Sequence, residues 1–494
     1  MNDGGVLMRV LHVCTEVYPV LKTGGLADVT GALPAAQIRL GCDARLLVPG
    51  FPAYFASLRE QRLVFELPPR FGAYAIRLYL GSLPDNGMKV YFIDAPGLFD
   101  RPGNPYTNAS NQDYFDNYRR FALLGWMAAR VAEGLDMEWT PELVHAHDWH
   151  AGLTPAYLKA SEFWNQRPLA KSVFTVHNLA YQGNFPGHVF GELDLPSHFF
   201  GLDGVEFHHQ LSFIKAGLVY ADRITTVSPT YAREILRPEN ACGLDGVLQK
   251  RAADLYGILN GVDFSIWDPA KDAAIAANYT VRSLTGKRKC KLALQQEVGF
   301  PLQDDKPLFC IVSRLAVQKG LDMVLDALPE IVRQGGQIVI LGSGDASMES
   351  AFRNAAFANP KAISIHAGYD ELKSHRVFAG SDVILMPSRY EPCGLTQLYG
   401  LRYGTLPLVH RVGGLADTVV DCTEEHMKRG TATGFAFDGF QYDAFMSAVR
   451  RCFDLFAHRR EWQRVQRNAM RQHFDWDTAA DHYLELYRQI AGHQ

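Results

Sequence analysis

The chain has 494 residues, 47% hydrophobic and 21% charged, with 43 glycines spread along it. That exceeds one hydrophobic core and predicts a globular enzyme of two domains, not a disordered or fibrous chain. Lys+Arg (49) nearly balance Asp+Glu (53), giving a net charge of −4, so no global field draws the chain to nucleic acid or an anionic membrane. The eight cysteines lie far apart without a CxxC pair, which predicts reduced thiols and a cytoplasmic setting.

The opening run MNDGGVLMRVLHVCTEVYPV has no basic leader, and its apolar stretch is broken by Arg9, His12 and Glu16; it predicts a buried strand and not a signal peptide. No later stretch approaches the roughly 18 consecutive apolar residues of a membrane span. A strand RVLHVCTEV, a glycine-rich loop, a helix from about Leu26 to Gly41 and a second strand DARLLVPG make a βαβ unit, whose strands run parallel. Further strands are predicted at 88–94, 142–148, 171–178 and 222–228, with a helix over 117–135. A polar segment after LYGILNGVD leads into a second series, with strands at 307–315, 336–344, 362–369, 381–388 and 405–414 and a helix over 320–335; FDWDTAADHYLELYRQI (474–490) is a last amphipathic helix. Two successive α/β series predict two mostly parallel sheets covered by helices, with ligands bound outside the carboxyl ends of the strands.

The pentapeptide GGLAD occurs twice, at Gly24–Asp28 and Gly413–Asp417, each time after a strand and before a helix. In KTGGLAD the glycine amides and helix start suit an anion and Lys22 adds a charge, although an ordinary strand-to-helix turn also favours glycine. Arg314 and Lys319 follow the run PLFCIV; a forked donor and a point charge there suit a diphosphate, while solvated loop residues are the alternative. In PSRYEPCGLTQ, Glu391 can accept sugar hydroxyl hydrogen bonds and the helix start after Cys393 can hold phosphate, or the two are a capping acid and a buried thiol. His145, His147 and His150 come without HExxH or a facial carboxylate triad, so hydrogen-bonded core histidines are expected rather than a metal. LGSGDASME lacks a full GxGxxG, which weakens a dinucleotide reading.

In order, KTGGLADV, HAHDWHA, FTVHNLAYQG, LNGVD, SRLAVQKG, PSRYEPCGLTQLYGLRYG and VGGLADTV resemble bacterial glycogen synthases and plant starch synthases from about residue 9 to about 490. The resemblance implies a GT-B fold of class α/β, with two Rossmann-like domains whose parallel sheets face across a deep cleft. It divides the chain into residues 1–255 (acceptor glucan side, with the KTGGL loop), 256–473 (ADP-glucose side) and a helix, 474–494, crossing back to the first domain. It also implies a retaining hexosyltransferase of glycogen biosynthesis that moves glucose from ADP-glucose to the non-reducing end of an α-1,4-glucan. Neither metal nor PLP is expected, and no cofactor-lysine motif matches a phosphorylase.

Carried onto this sequence, the resemblance makes Lys22, His177, Arg314, Lys319 and Glu391 catalytic. The donor set comprises Lys22, Gly24, Gly25, Asp28, Asn178, Asn260, Arg314, Lys319, Glu391, Cys393, Gly394, Leu395 and Thr396, and the acceptor set Tyr106 and Asp148. The E-x7-E pair of many retaining transferases is replaced by Glu391 with Leu398, beside Gln397, as in the glycogen-synthase branch. With no second acid identified, attack on the same face as the departing phosphate is expected over double displacement. An NAD-dependent oxidoreductase and a non-catalytic glucan-binding protein are the rival readings.

Overall fold

The structure is a computed structural model that describes residues 7–368 and 370–492. Residues 1–6 of the opening run, Tyr369 at the end of one predicted strand, and residues 493–494 lie outside the described residues. The chain divides into two compact units, Met1–Gly261 with Trp476–Gln494, and Val262–Asp475.

The first unit is built on a nine-stranded sheet among the described residues. Across the sheet its strands are Leu255–Gly257, Arg223–Thr226, Lys171–Val176, Leu143–His147, Arg9–Val13, Asp43–Pro49, Lys89–Asp94, Ile76–Ser82 and Arg59–Leu67. The first seven pair in parallel. Their central members are near-continuous apolar runs buried along almost their whole length, as a sheet covered on both faces requires. The last two strands pair antiparallel at one edge, a departure from the mostly parallel expectation. Arg59–Leu67 is exposed along most of its length, so it lacks the apolar run that marks the others.

The helix Gly25–Arg39 starts inside the first GGLAD and ends one residue before Gly41. Gly41 takes φ +93°, a conformation that costs a residue with a Cβ and so stops the helix. Against it packs the last helix, Trp476–Ala491, which buries Trp476, Ala480, Tyr483, Leu484 and Tyr487 in one cluster with Val29 and Leu33. The Arg39–Asp477 ion pair beside this contact is half exposed and contributes little; the apolar seam holds the helix in place.

The second unit carries six parallel strands in the order Ile363–His366, Gln337–Leu341, Leu308–Val312, Val383–Met386, Leu406–His410 and Phe435–Phe437. The sixth, only three residues long, is too short to stand out from the sequence. Helices Leu321–Arg333 and Tyr442–Ala457 each place an apolar stripe on the sheet.

Leu484→Ala tests the seam. It removes a buried side chain from the last helix and should destabilise the first unit by about 2–5 kcal/mol, read as a lower urea midpoint of the transition that unfolds that unit.

Candidate functional site

In the first unit, the chain leaving strand Arg9–Val13 places Glu16 in the interior, 2% exposed. Its carboxylate accepts from the Thr23 N–H, from the Thr23 hydroxyl at 2.6 Å and from the Gly24 N–H at 3.2 Å. The Tyr106 hydroxyl, 2.9 Å from Thr15 Oγ1, donates to the same carboxylate. The KTGGL loop thus already binds an anion through its amides, and that anion is the protein's own Glu16. This corrects the expectation that the Gly24 amide stands open for phosphate. Gly24 has nothing within 4 Å of where a Cβ would lie, so its use is the amide and not close packing. Lys22 pairs with Asp28 at 2.7 Å, which brings those two predicted residues together on one loop.

The next two strands of the same sheet contribute Asp148 and His177. Asp148 follows Leu143–His147 with φ +60° and ψ −179°, a conformation that costs a non-glycine residue about 1–3 kcal/mol and concentrates at functional sites. Burial drives its pKa up to about 7, against the backbone N–H groups of Trp149, Asn178 and His177, which lower it. His177 follows Lys171–Val176, and burial lowers its pKa to about 3. Asn178 turns its Oδ1 to the Ala180 N–H at 3.1 Å. Tyr106 stacks on His150, with ring centroids 4.4 Å apart, so its hydroxyl serves Glu16 while its face covers a histidine. Asn260 is buried at the end of this unit, and its Oδ1 has no hydrogen-bond partner among the described residues.

Histidines 12, 145 and 147 bring ring nitrogens within 4.8 Å of one another. His12 Nδ1 and His147 Nε2 are 2.9 Å apart, a hydrogen-bond distance; zinc bonds of about 2.0–2.1 Å hold tetrahedral ligand nitrogens roughly 3.3 Å apart. These rings therefore fit each other better than they fit a shared ion. His150 lies in a different contact, against Tyr106 and Phe121.

In the second unit three neighbouring strands supply the chemistry. After Leu308–Val312 comes Arg314, exposed, with no side-chain partner among the described residues. One turn later Lys319 ends a short 3₁₀ segment, and its Nζ lies 2.6 Å from Glu391 Oε2. Glu391 follows Val383–Met386, is 5% exposed, and also accepts from the Ser388 hydroxyl at 2.9 Å. Gly394 takes φ +74°, after which helix Thr396–Tyr403 begins; Leu395 caps it, and the Thr396 hydroxyl lies 3.4 Å from Met386 sulfur. Cys393 is buried.

The second GGLAD packs onto this loop. A Cβ on Gly413 would sit 1.9 Å from the Glu391 carbonyl oxygen, and one on Gly414 2.1 Å from that of Cys393; Gly413 also has φ +44°. Gly414 N–H donates to Glu391 O at 3.1 Å. The repeated pentapeptide therefore does two jobs: the first copy offers an amide to a carboxylate, and the second lets the Glu391 loop approach its backbone. Sequence reasoning treated Glu16 and His12 only as interruptions of an apolar run. Their positions in or just beyond the strand that precedes a glycine loop were the available signal.

Two family models match the chain: the starch synthase catalytic domain over residues 9–250 and glycosyl transferases group 1 over 295–469. The chain is 57% identical over 484 residues to a glycogen synthase of Francisella tularensis subsp. novicida, covering 98% of this chain and 99% of that one. It belongs to the glycogen and starch synthase family. A glycogen synthase of Francisella philomiragia matches at the same identity. Among solved structures, the catalytic domain of starch synthase IV from Arabidopsis thaliana, bound to ADP and acarbose, superposes with a TM-score of 0.88 at 28% identity, covering 98% of this chain and 100% of that one. Sucrose-phosphate synthase from Thermosynechococcus elongatus, at 16% identity and a TM-score of 0.59, shares the fold alone. The chain is thus a GT-B glycosyltransferase, and among its described residues no helix is long and apolar enough to cross a membrane.

The site carries a pH signature. Burial lowers the pKa of His12 to about 4 and of His177 to about 3, and lowers His145, His147 and His150 as well. Below pH 6.5 the unfolded chain therefore takes up protons that the folded chain refuses, and stability falls with pH until the folded pKa values are reached. Asp148, raised to about 7, works in the opposite sense between its unfolded pKa and 7, but as one group against five. The urea midpoint should accordingly be lower at pH 5 than at pH 7; an equal or higher midpoint at pH 5 contradicts the burial of these rings as neutral groups.

Proposed function

We propose that the chain transfers glucose from ADP-glucose to the non-reducing end of an α-1,4-glucan, with retention at the anomeric carbon and release of ADP. The observation that carries this reading is the 57% identity to glycogen synthase along essentially the whole chain. The ADP and acarbose bound by the starch synthase IV relative support an adenine nucleotide sugar and a glucan as the ligands. Cysteines that are all unpaired support a reducing, cytoplasmic location.

The bond that breaks joins the anomeric carbon to the β-phosphate oxygen of ADP. Negative charge grows on that phosphate while the sugar becomes oxocarbenium-like, so fixed positive groups at the phosphate lower the barrier. Arg314, exposed and without a partner among the described residues, is proposed to take the diphosphate first. Lys319 lies against Glu391, and its proposed role is to turn toward the leaving phosphate as charge develops, while Glu391, still held by Ser388, accepts a sugar hydroxyl. Cys393, Gly394, Leu395 and Thr396 are proposed to line the pocket at the helix start.

In the first unit, Lys22 with the Gly24–Gly25 turn and Asp28 is proposed for the donor, His177, Asn178 and Asn260 for the transferred glucose, and Tyr106 and Asp148 for the acceptor. Since the buried histidine cluster hydrogen-bonds to itself, the proposed chemistry runs on these side chains without metal or PLP. Same-face attack fits a site whose E-x7-E position is Leu398, 2% exposed, because the departing phosphate then takes the acceptor proton. A covalent glucosyl-carboxylate trapped on this chain contradicts that route.

ADP-glucose and UDP-glucose, each mixed with glycogen, should give nucleotide release and chain growth at a higher rate with ADP-glucose; a preference for UDP-glucose, or binding without turnover, counts against the reading. Lys319→Ala should lower kcat about 10²–10³-fold, the cost of one preorganised donor, and leave the KM for glycogen nearly unchanged. Equal losses in both parameters contradict a transition-state role for this lysine.

A further inference from the structure

The imidazole of His177 is the end of a continuous buried chain of hydrogen bonds that reaches the last helix. His177 Nε2 lies 3.1 Å from His147 Nδ1, His147 Nε2 lies 2.9 Å from His12 Nδ1, and His12 Nε2 lies 2.7 Å from Gln37 Oε1. Gln37 Nε2 in turn donates to the Tyr487 hydroxyl at 3.1 Å. That hydroxyl is 2.6 Å from His145 Nδ1, and His145 Nε2 meets Thr175 Oγ1 at 2.5 Å. All these groups belong to the first unit. His12, Gln37, His145, His147 and Thr175 have no exposed surface, so no water replaces a partner that is lost.

The proton positions follow link by link. The Gln37 amide gives its N–H to Tyr487, so its carbonyl oxygen faces His12, and a carbonyl only accepts. His12 therefore carries its proton on Nε2 and accepts on Nδ1. His147 must then donate from Nε2 and accept on Nδ1, and His177 must donate from Nε2. The Nδ1 of His177, which has no partner among the described residues, is left as a lone pair. The Tyr487 hydroxyl, having accepted from Gln37, donates to His145.

We propose that Gln37 and Tyr487, through His12 and His147, are positioning residues that hold His177 as its Nε2–H tautomer, so that Nδ1 accepts a hydrogen bond from a hydroxyl of the transferred sugar. The last helix thereby sets the chemistry of a ring that it does not touch. The sugar contact rests on the functional reading above, whereas the tautomer does not. A neutral ring of the other tautomer would meet a hydroxyl with an N–H, and the hydroxyl would have to turn and accept.

The full-length enzyme labelled with ¹⁵N-histidine provides the test, with the His177 signals assigned by their loss in His177→Asn. Wild type should show His177 protonated on Nε2 and unprotonated on Nδ1. Tyr487→Phe and Gln37→Met, which keep ring and volume, should produce a mixture of tautomers and lower kcat with ADP-glucose about tenfold, one hydrogen bond's worth, with the KM for glycogen unchanged. Tyr483→Phe, which removes a hydroxyl from the same helix outside the chain of bonds, should leave the His177 spectrum as in wild type. A wild-type His177 protonated on Nδ1 overturns the proposal. So does a spectrum that Tyr487→Phe and Gln37→Met leave unmoved, whatever happens to kcat. If wild type fails to turn over ADP-glucose while the tautomer responds as stated, the functional reading fails and the relay stands.

Discussion

Parallel pairing is the constraint on which the rest depends. When neighbouring strands run the same way, the loops at their carboxyl ends emerge along one edge, and residues far apart in sequence become neighbours there. In the first unit the adjacent strands Arg9–Val13, Leu143–His147 and Lys171–Val176 deliver Glu16, Asp148 and His177. In the second, Leu308–Val312, Val383–Met386 and Leu406–His410 deliver Arg314 with Lys319, Glu391, and the second GGLAD. Each unit thus concentrates charge and hydrogen-bonding groups on one edge of a sheet whose interior is almost wholly apolar.

Burying such groups is costly unless each finds a partner, and both units satisfy the requirement in the same way. A carboxylate sits just past the sheet and is met by donors from a glycine loop or a lysine: Glu16 by Thr23, Gly24 and Tyr106, Glu391 by Lys319 and Ser388. The glycines of the two GGLAD copies permit these arrangements by different means, one through an exposed amide and the other through close backbone approach. The buried histidines extend the principle into the sheet itself, where rings on Arg9–Val13 and Leu143–His147 face one another in register, His12 opposite His145.

Much of this was legible in the sequence. Short apolar runs ending in glycine, serine or a charged residue marked the parallel strands because a strand buried on both faces has no room for polar alternation. The edge strand Arg59–Leu67 was not legible, for it is exposed along most of its length and borrows its place from its neighbour. Lys22, Arg314, Lys319 and Glu391 stood out because each is a charge beside glycine or proline at the end of an apolar run. Glu16 and Gln37 did not, because their meaning lies in partners 90 and 450 residues away, Tyr106 and Tyr487, and no local pattern carries a contact of that span.

The central claim is that the second unit's Arg314 and Lys319 hold the diphosphate whose departure frees the glucose. A crystal structure of the full chain with ADP tests it most directly. The account predicts both phosphates within hydrogen-bonding distance of the Arg314 guanidinium and Lys319 Nζ, with Glu391 still on Ser388. A nucleotide lodged away from the loops that follow Leu308–Val312 and Val383–Met386 contradicts it.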